Sequence, residues 1–167
     1  MPAKPVKFRI LGPYKLPIDV GPGGRVIDRT KLPALWAQNG QGHNKGCYVF
    51  AIRGGRSTIP WYVGKTTRGF ASEAFTDHKQ NKYSHALIHV KKGTPILFLL
   101  VSQQKKGKPN GKAIGELELD LINAAFQVND LLQNDRGIDA PIYEIEGIGS
   151  QGKPSKARQT FVNMIGW

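Results

Sequence analysis

Two short apolar runs, GCYVFAI at 46–52 and IPWYVG at 59–64, are joined by RGGRST. Both are rich in the β-branched and aromatic residues that suit a pleated, half-buried surface. The Gly54-Gly55 pair between them supplies the backbone freedom that a tight connection needs. The segment therefore predicts a β-hairpin with strands over 46–53 and 59–64. Side chains alternate along a strand, so Tyr48 shares a face with Gly46 and Phe50, and Tyr62 with Gly64. Antiparallel pairing can bring both phenols to one face near the open end of the hairpin. Aromatic residues in hairpins are ordinarily packing residues, and taken singly these two read as core.

Downstream, residues 71–80 and 84–91 suggest short helices, and TPILFLLVS at 94–102 reads as a buried third strand. KKGKPNGK at 105–112 is a basic loop, and a long helix follows over about 112–133. Its apolar residues Ile114, Leu117, Leu121, Ala125, Val128 and Leu132 keep a helical period. The order β-β-α-α-β-α predicts an α/β (α+β) domain over 46–135, with a small three-stranded sheet, hairpin first, flanked by helices. Residues 1–45, with eight Lys/Arg, two Asp and many Pro and Gly, read as an irregular basic N-terminal arm with one short strand at Val6–Leu11. Residues 136–167 read as a C-terminal extension packed on the same domain, a strand at APIYEIEGI and then a short amphipathic helix with Ala157, Phe161 and Ile165.

Across 167 residues the net charge is +12. Such an excess points to polyanionic partners, nucleic acid first. A basic structural or ribosome-associated protein would carry the same charge. No run approaches the ~18 apolar residues of a membrane span, and MPAKPVKFRI has no apolar signal core, so a cytoplasmic protein without membrane contact is expected. A single cysteine, Cys47, excludes an internal disulfide and cysteine zinc clusters; in an apolar strand it reads as buried and inert.

Among polar residues Glu118 is the most informative. On the long helix it lies at the azimuth of Leu121 and Ala125, at the edge of the apolar stripe, whereas Glu116 and Asp120 point away. A half-buried carboxylate needs a partner or a metal, because desolvating it alone is costly; a salt bridge to a Lys or Arg and a metal site fit equally. Lys65, Arg68, His78, Lys79 and Lys82 crowd into one segment, the ordinary sign of a solvated basic face. His85 and His89 stand four apart, but Ala86 occupies the place where a zinc protease needs Glu. GKPNGKA at 107–113 has neither the glycine spacing nor the hydroxyl of a phosphate-binding loop, and no G-x-S-x-G elbow is present.

Together these residues resemble the GIY-YIG nuclease superfamily. Gly46-Cys47-Tyr48 stands for the first signature triplet and Tyr62-Val63-Gly64 for the second. Glu118-Leu119-Asp120-Leu121-Ile122 looks like the family's E-x-x-L-I helix, and Asn129 or Asn134 fills the place of a following asparagine. The resemblance covers roughly residues 45–135, about half the chain. It implies a metal-dependent endonuclease that hydrolyses phosphodiester bonds in DNA. Tyr48 would be the general base or help to activate water, and Tyr62 would position water or phosphate. Glu118 would hold Mg²⁺ or Mn²⁺. Gly64, Lys65, Lys79 and Asn134 would contact substrate. The family's helix arginine stands four residues before a His or Tyr; here Ala74 holds that place before His78, which leaves the cationic role to Arg68, His78 or Lys79, with Arg68 and His78 favoured.

The runner-up is a nucleic-acid-binding module that keeps this fold without catalysis. The altered arginine position favours it; the retained Tyr48, Tyr62 and Glu118 oppose it.

Overall fold

The computed structural model describes residues 5–135 and, beyond them, Lys156, Ala157, Thr160 and Met164. The strand expected at 140–148 lies outside the described residues, and of the helix expected after it these four residues alone are described; they are helical.

Eleven short elements order the described chain. Strand β1 is Phe8–Lys15, β2 is Ile18–Gly21, β3 is Gly24–Ile27, β4 is Gly46–Gly54, β5 is Ser57–Thr66 and β6 is Thr94–Ser102. The helices are α1 (Leu32–Asn39), α2 (Phe70–Glu73), α3 (Asp77–His89) and α4 (Gly111–Val128), and a 3₁₀ turn at Arg29–Lys31 leads into α1. The hairpin forms as its sequence predicts: β4 pairs antiparallel with β5, Tyr48 opposite Gly64 and Phe50 opposite Tyr62. Strand β6 matches the expected run 94–102 and pairs with β4 along almost its whole length. The two helices expected at 71–80 and 84–91 are instead a single turn and one helix of 13 residues. Helix α4 stops at Val128, because Asn129 leaves the helical region and its amide binds the main chain at the edge of β5.

Two expectations need correction. The main sheet has four antiparallel strands, in the order β1-β6-β4-β5, not three. Residues 5–45 are not an irregular arm, and the short strand expected at Val6–Leu11 overlaps the longer β1. Strand β1 runs along the outer side of β6, with the register slipping between Leu11 and Tyr14; β2 and β3 form a second, two-stranded sheet; α1 follows. Leu16, Ile27 and Leu32 from this region are buried in the same core as Phe50, Phe70 and Leu97. The pairing escaped the sequence pattern because Gly12-Pro13 interrupts β1 and its partner strand lies far along the chain, with Leu11 opposite Leu99.

Each face of the sheet carries its own core. Tyr48, Phe50 and Ile52 of β4 face α2 and α3, where Tyr83 stacks on Phe50 at 4.3 Å. Cys47 and Val63 on the other face pack against α4 through Ile114, Ile122 and Ala125. Cys47 is fully buried, and desolvation, aided by the charge of Glu118, pushes its thiol up to about 12. No helix among the described residues is long and apolar enough to cross a membrane.

Candidate active site

The glycines of the two triplets, Gly46 and Gly64, have separate physical reasons. Gly46 has φ 147°, and a Cβ there would come within 1.9 Å of the Leu100 carbonyl oxygen, so β6 can lie against this strand end only if position 46 has no side chain. At Gly64 the obstacle is Tyr48: a Cβ would lie 2.3 Å from its Cζ and from its hydroxyl oxygen. The first triplet's tyrosine thus occupies the space that the second triplet's glycine leaves open.

The two phenols do meet on one face, with ring centroids 6.3 Å apart. They differ in depth. Tyr62 is half-buried and lines an open cleft of about 430 Å³, whereas Tyr48 is fully buried and does not line it. The Tyr48 hydroxyl has no hydrogen-bond partner among the described residues. Tyr83, which sequence reasoning missed, completes a cluster of three phenols. Its ring stands edge-on to Tyr62 at 5.8 Å, and its hydroxyl donates to the Ala74 carbonyl at 2.6 Å. Ala74 is therefore a core residue and a backbone acceptor. Burial pushes Tyr62 up to about 12 and raises Tyr48 and Tyr83 well above the ordinary phenol range. All three hold their protons at neutral pH.

The cleft follows the free edge of β5, between the first turn of α3 and the middle of α4. Tyr62, Lys65, His78, Glu118, Leu119, Ile122, Asn134 and Asp135 line it. Glu118 projects from α4 with its side chain 18% exposed and pairs with Lys65 at 2.7 Å. The carboxylate placed at the stripe edge by helical periodicity is thus half-buried, and a lysine from the second strand of the hairpin neutralises it. On the opposite wall Lys82 pairs with Asp135 at 2.5 Å, with the His78 imidazole 3.8 Å from the same carboxylate.

Lys79 and Arg68 do not line the cleft. Lys79 lies 5.6 Å from the centre of the Tyr48 ring and binds Glu73 through its carboxylate, at 3.1 Å, and its carbonyl, at 2.8 Å. Desolvation lowers the pKa of Lys79, against the raising influence of Glu118. Arg68 is exposed, and its guanidinium pairs with the same Glu73 carboxylate. Glu73 was not singled out by sequence reasoning. Its one legible signal is being the only acidic residue between Tyr62 and Asp77.

Asn134 reaches the cleft, but its amide is engaged with the strand edge. It accepts from the Val63 N–H at 2.9 Å and donates to the Val63 carbonyl at 2.7 Å. Gln133 N–H donates to the Trp61 carbonyl at 2.8 Å, and the Asn129 amide to that of Pro60 at 2.8 Å. The segment 129–134 thereby covers the otherwise unpaired edge of β5, the liability of any outer strand. Both asparagines that the sequence offered for one role act together in another.

No family model, curated protein or solved structure matches this chain.

Proposed function

We propose that the cleft is the active site of a GIY-YIG-type endonuclease that cuts DNA. The observation that carries the reading is the convergence of a half-buried carboxylate, a lysine, an imidazole and a phenol in one open cleft, the phenol's ring 6.3 Å from that of a buried tyrosine whose hydroxyl has no partner among the described residues. These groups come from β4, β5, α3 and α4, and no single packing requirement asks for them together.

Lys65, His78 and Lys82 would meet the charge of a phosphodiester, and Lys79 would add its field from behind. Tyr62 would orient water or a phosphate oxygen by donating its hydroxyl proton. Tyr48 lies outside the lining with its hydroxyl fully buried; its raised pKa favours a protonated phenol over a resting phenolate, which shifts its part away from general base. Displacement of Lys65 by a cation would leave Glu118 as an oxygen ligand. A lone carboxylate oxygen suits Mg²⁺, which is commonly held by one or two carboxylates and substrate phosphates. When bound, the ion supplies Lewis-acid stabilisation of the charge that builds on the leaving oxygen. The net charge of +12 favours a nucleic-acid partner.

The second reading is a binding module without catalysis. Glu118 is already neutralised by Lys65, and Arg68 by Glu73, the arrangement a non-catalytic descendant of such a site would keep. A supercoiled-plasmid assay in Mg²⁺ or Mn²⁺ against EDTA, with Glu118→Ala beside wild type, separates the two. Metal-dependent nicking lost in the variant is expected. Salt-sensitive DNA binding without cleavage by wild type would favour the binding module; binding should fall with salt at a logarithmic slope of about −0.9 per phosphate contacted.

A further inference from the structure

Beside the cleft, the β4–β5 ladder carries one extra residue. Phe50 faces Tyr62 and Ala51 faces Pro60, which leaves Trp61 without an opposite number. Such a bulge re-aims a side chain. Here the Trp61 indole joins the α3 side of the sheet, 5.5 Å from the His89 ring. It is 4% exposed, and its N–H is buried with no acceptor among the described residues. A buried donor without an acceptor is costly to a fold, and this one borders a groove of about 320 Å³ with His85, Ile88, His89, Leu131 and Gln133.

The groove and the cleft are both lined from helix α3. His78, Lys82, His85 and His89 follow one another on α3 at intervals of four, three and four residues, which places them on a single helix face. His78 lines the cleft, Lys82 pairs with Asp135 on the cleft wall, and His85 and His89 line the groove. From His78 to His85 the helix advances about 10 Å. The opposite wall is fixed, since the Gln133 N–H is bonded to the Trp61 carbonyl.

We infer that this groove receives an unpaired nucleobase from the strand whose phosphate occupies the cleft; the inference rests on the nucleic-acid reading of that cleft. Flat imidazoles and the alkyl walls of Ile88 and Leu131 suit the faces of a base, and the Trp61 indole borders the groove, where its N–H resonance senses an aromatic occupant. A base within a duplex has both faces covered by its neighbours. The groove therefore selects single-stranded, frayed or extruded nucleotides.

The test is heteronuclear NMR of the full chain in EDTA, titrated with a short oligodeoxythymidylate and, separately, with a blunt duplex of the same length. The Trp61 indole N–H resonance is identified by its loss in Trp61→Phe. The expected result is a shift of this resonance that saturates with oligonucleotide binding and is absent with duplex. His85→Ala/His89→Ala, at two exposed positions, should lose about tenfold in oligonucleotide affinity, the effect of removing a stacking partner, with unchanged thermal unfolding. Oligonucleotide binding with an unmoved Trp61 resonance and wild-type affinity in the double variant would overturn the groove and leave the cleft reading standing. An equal shift with duplex would overturn the selection for unpaired bases. Absence of binding by either nucleic acid would remove both readings.

Discussion

The ring of Tyr48 stands where a side chain at position 64 would begin: a Cβ on Gly64 would come within 2.3 Å of the Tyr48 Cζ and hydroxyl oxygen. Because Tyr48 is fully buried and packed edge-on to Phe70 at 6.3 Å, its ring has little room to retreat. Gly64→Ala is therefore predicted to destabilise the fold by about 1–3 kcal/mol, the usual cost of overpacking a core. Urea denaturation of the variant beside wild type checks this, and an unchanged midpoint would contradict the packing argument.

The Tyr48 hydroxyl itself has no partner among the described residues. Removing an unpaired buried donor relieves a desolvation cost. Tyr48→Phe should leave stability unchanged or raise it by up to about 1 kcal/mol. If the hydroxyl acts on the reaction, cleavage should fall by about a hundredfold, the scale of losing one well-placed donor. The combination of full stability and lost turnover distinguishes a functional hydroxyl from a packing ring; loss of both would make the tyrosine structural.

Asn134 makes two hydrogen bonds to the main chain of Val63 at the free edge of β5. Asn134→Ala should cost about 1–3 kcal/mol, because it leaves both edge groups unsatisfied or newly hydrated. Asn134→Asp retains an acceptor for the Val63 N–H but has no donor for its carbonyl, so its loss should be intermediate. Amide hydrogen exchange at Val63 provides a local readout: it should accelerate strongly in the alanine variant and little in the aspartate variant.

Stability should decline in alkali earlier than ordinary tyrosines alone would dictate. Burial holds Tyr48, Tyr62 and Tyr83 protonated above the ordinary phenol range, with Tyr62 pushed up to about 12, and Cys47 is pushed to about 12 as well. In the unfolded chain these groups release protons near about pH 8.5 for the thiol and about pH 10 for the phenols. From there upward the folded state holds more protons than the unfolded one, so stability falls as pH rises. The depressed Lys79 acts in the opposite sense, but one ammonium stands against four raised acids. Denaturant unfolding at steps between about pH 8 and about pH 11 tests the sign, and a flat or rising profile would refute it.

Local pattern was enough for the elements nearest the site. The alternation of β-branched and aromatic residues about Gly54-Gly55 defines the hairpin, and a nine-residue apolar run bounded by Gly93 and a basic loop defines β6. Helical periodicity placed Glu118 at the margin of the apolar stripe, in agreement with its 18% exposure. These features depend on backbone period and side-chain hydrophobicity, which neighbouring residues fix among themselves.

What the tertiary structure decided concerns partners distant in the chain. Lys65 meets Glu118, and Asn134 meets Val63, only because α4 and the segment after it return to the free edge of β5. The same return separates the expected site residues into a cleft group, with Tyr62, Lys65, His78 and Glu118, and a buried or outlying group, with Tyr48, Lys79 and Arg68. Strand β1 joins β6 by main-chain hydrogen bonds that its Gly-Pro interruption conceals, and the bulge at Trp61 arises from registering two strands whose composition permits either spacing. Sequence alone could name the charged residues and the face each takes on its own element. Their pairing depended on how elements pack, because ion pairs and edge hydrogen bonds form between whatever the fold brings within about 3 Å.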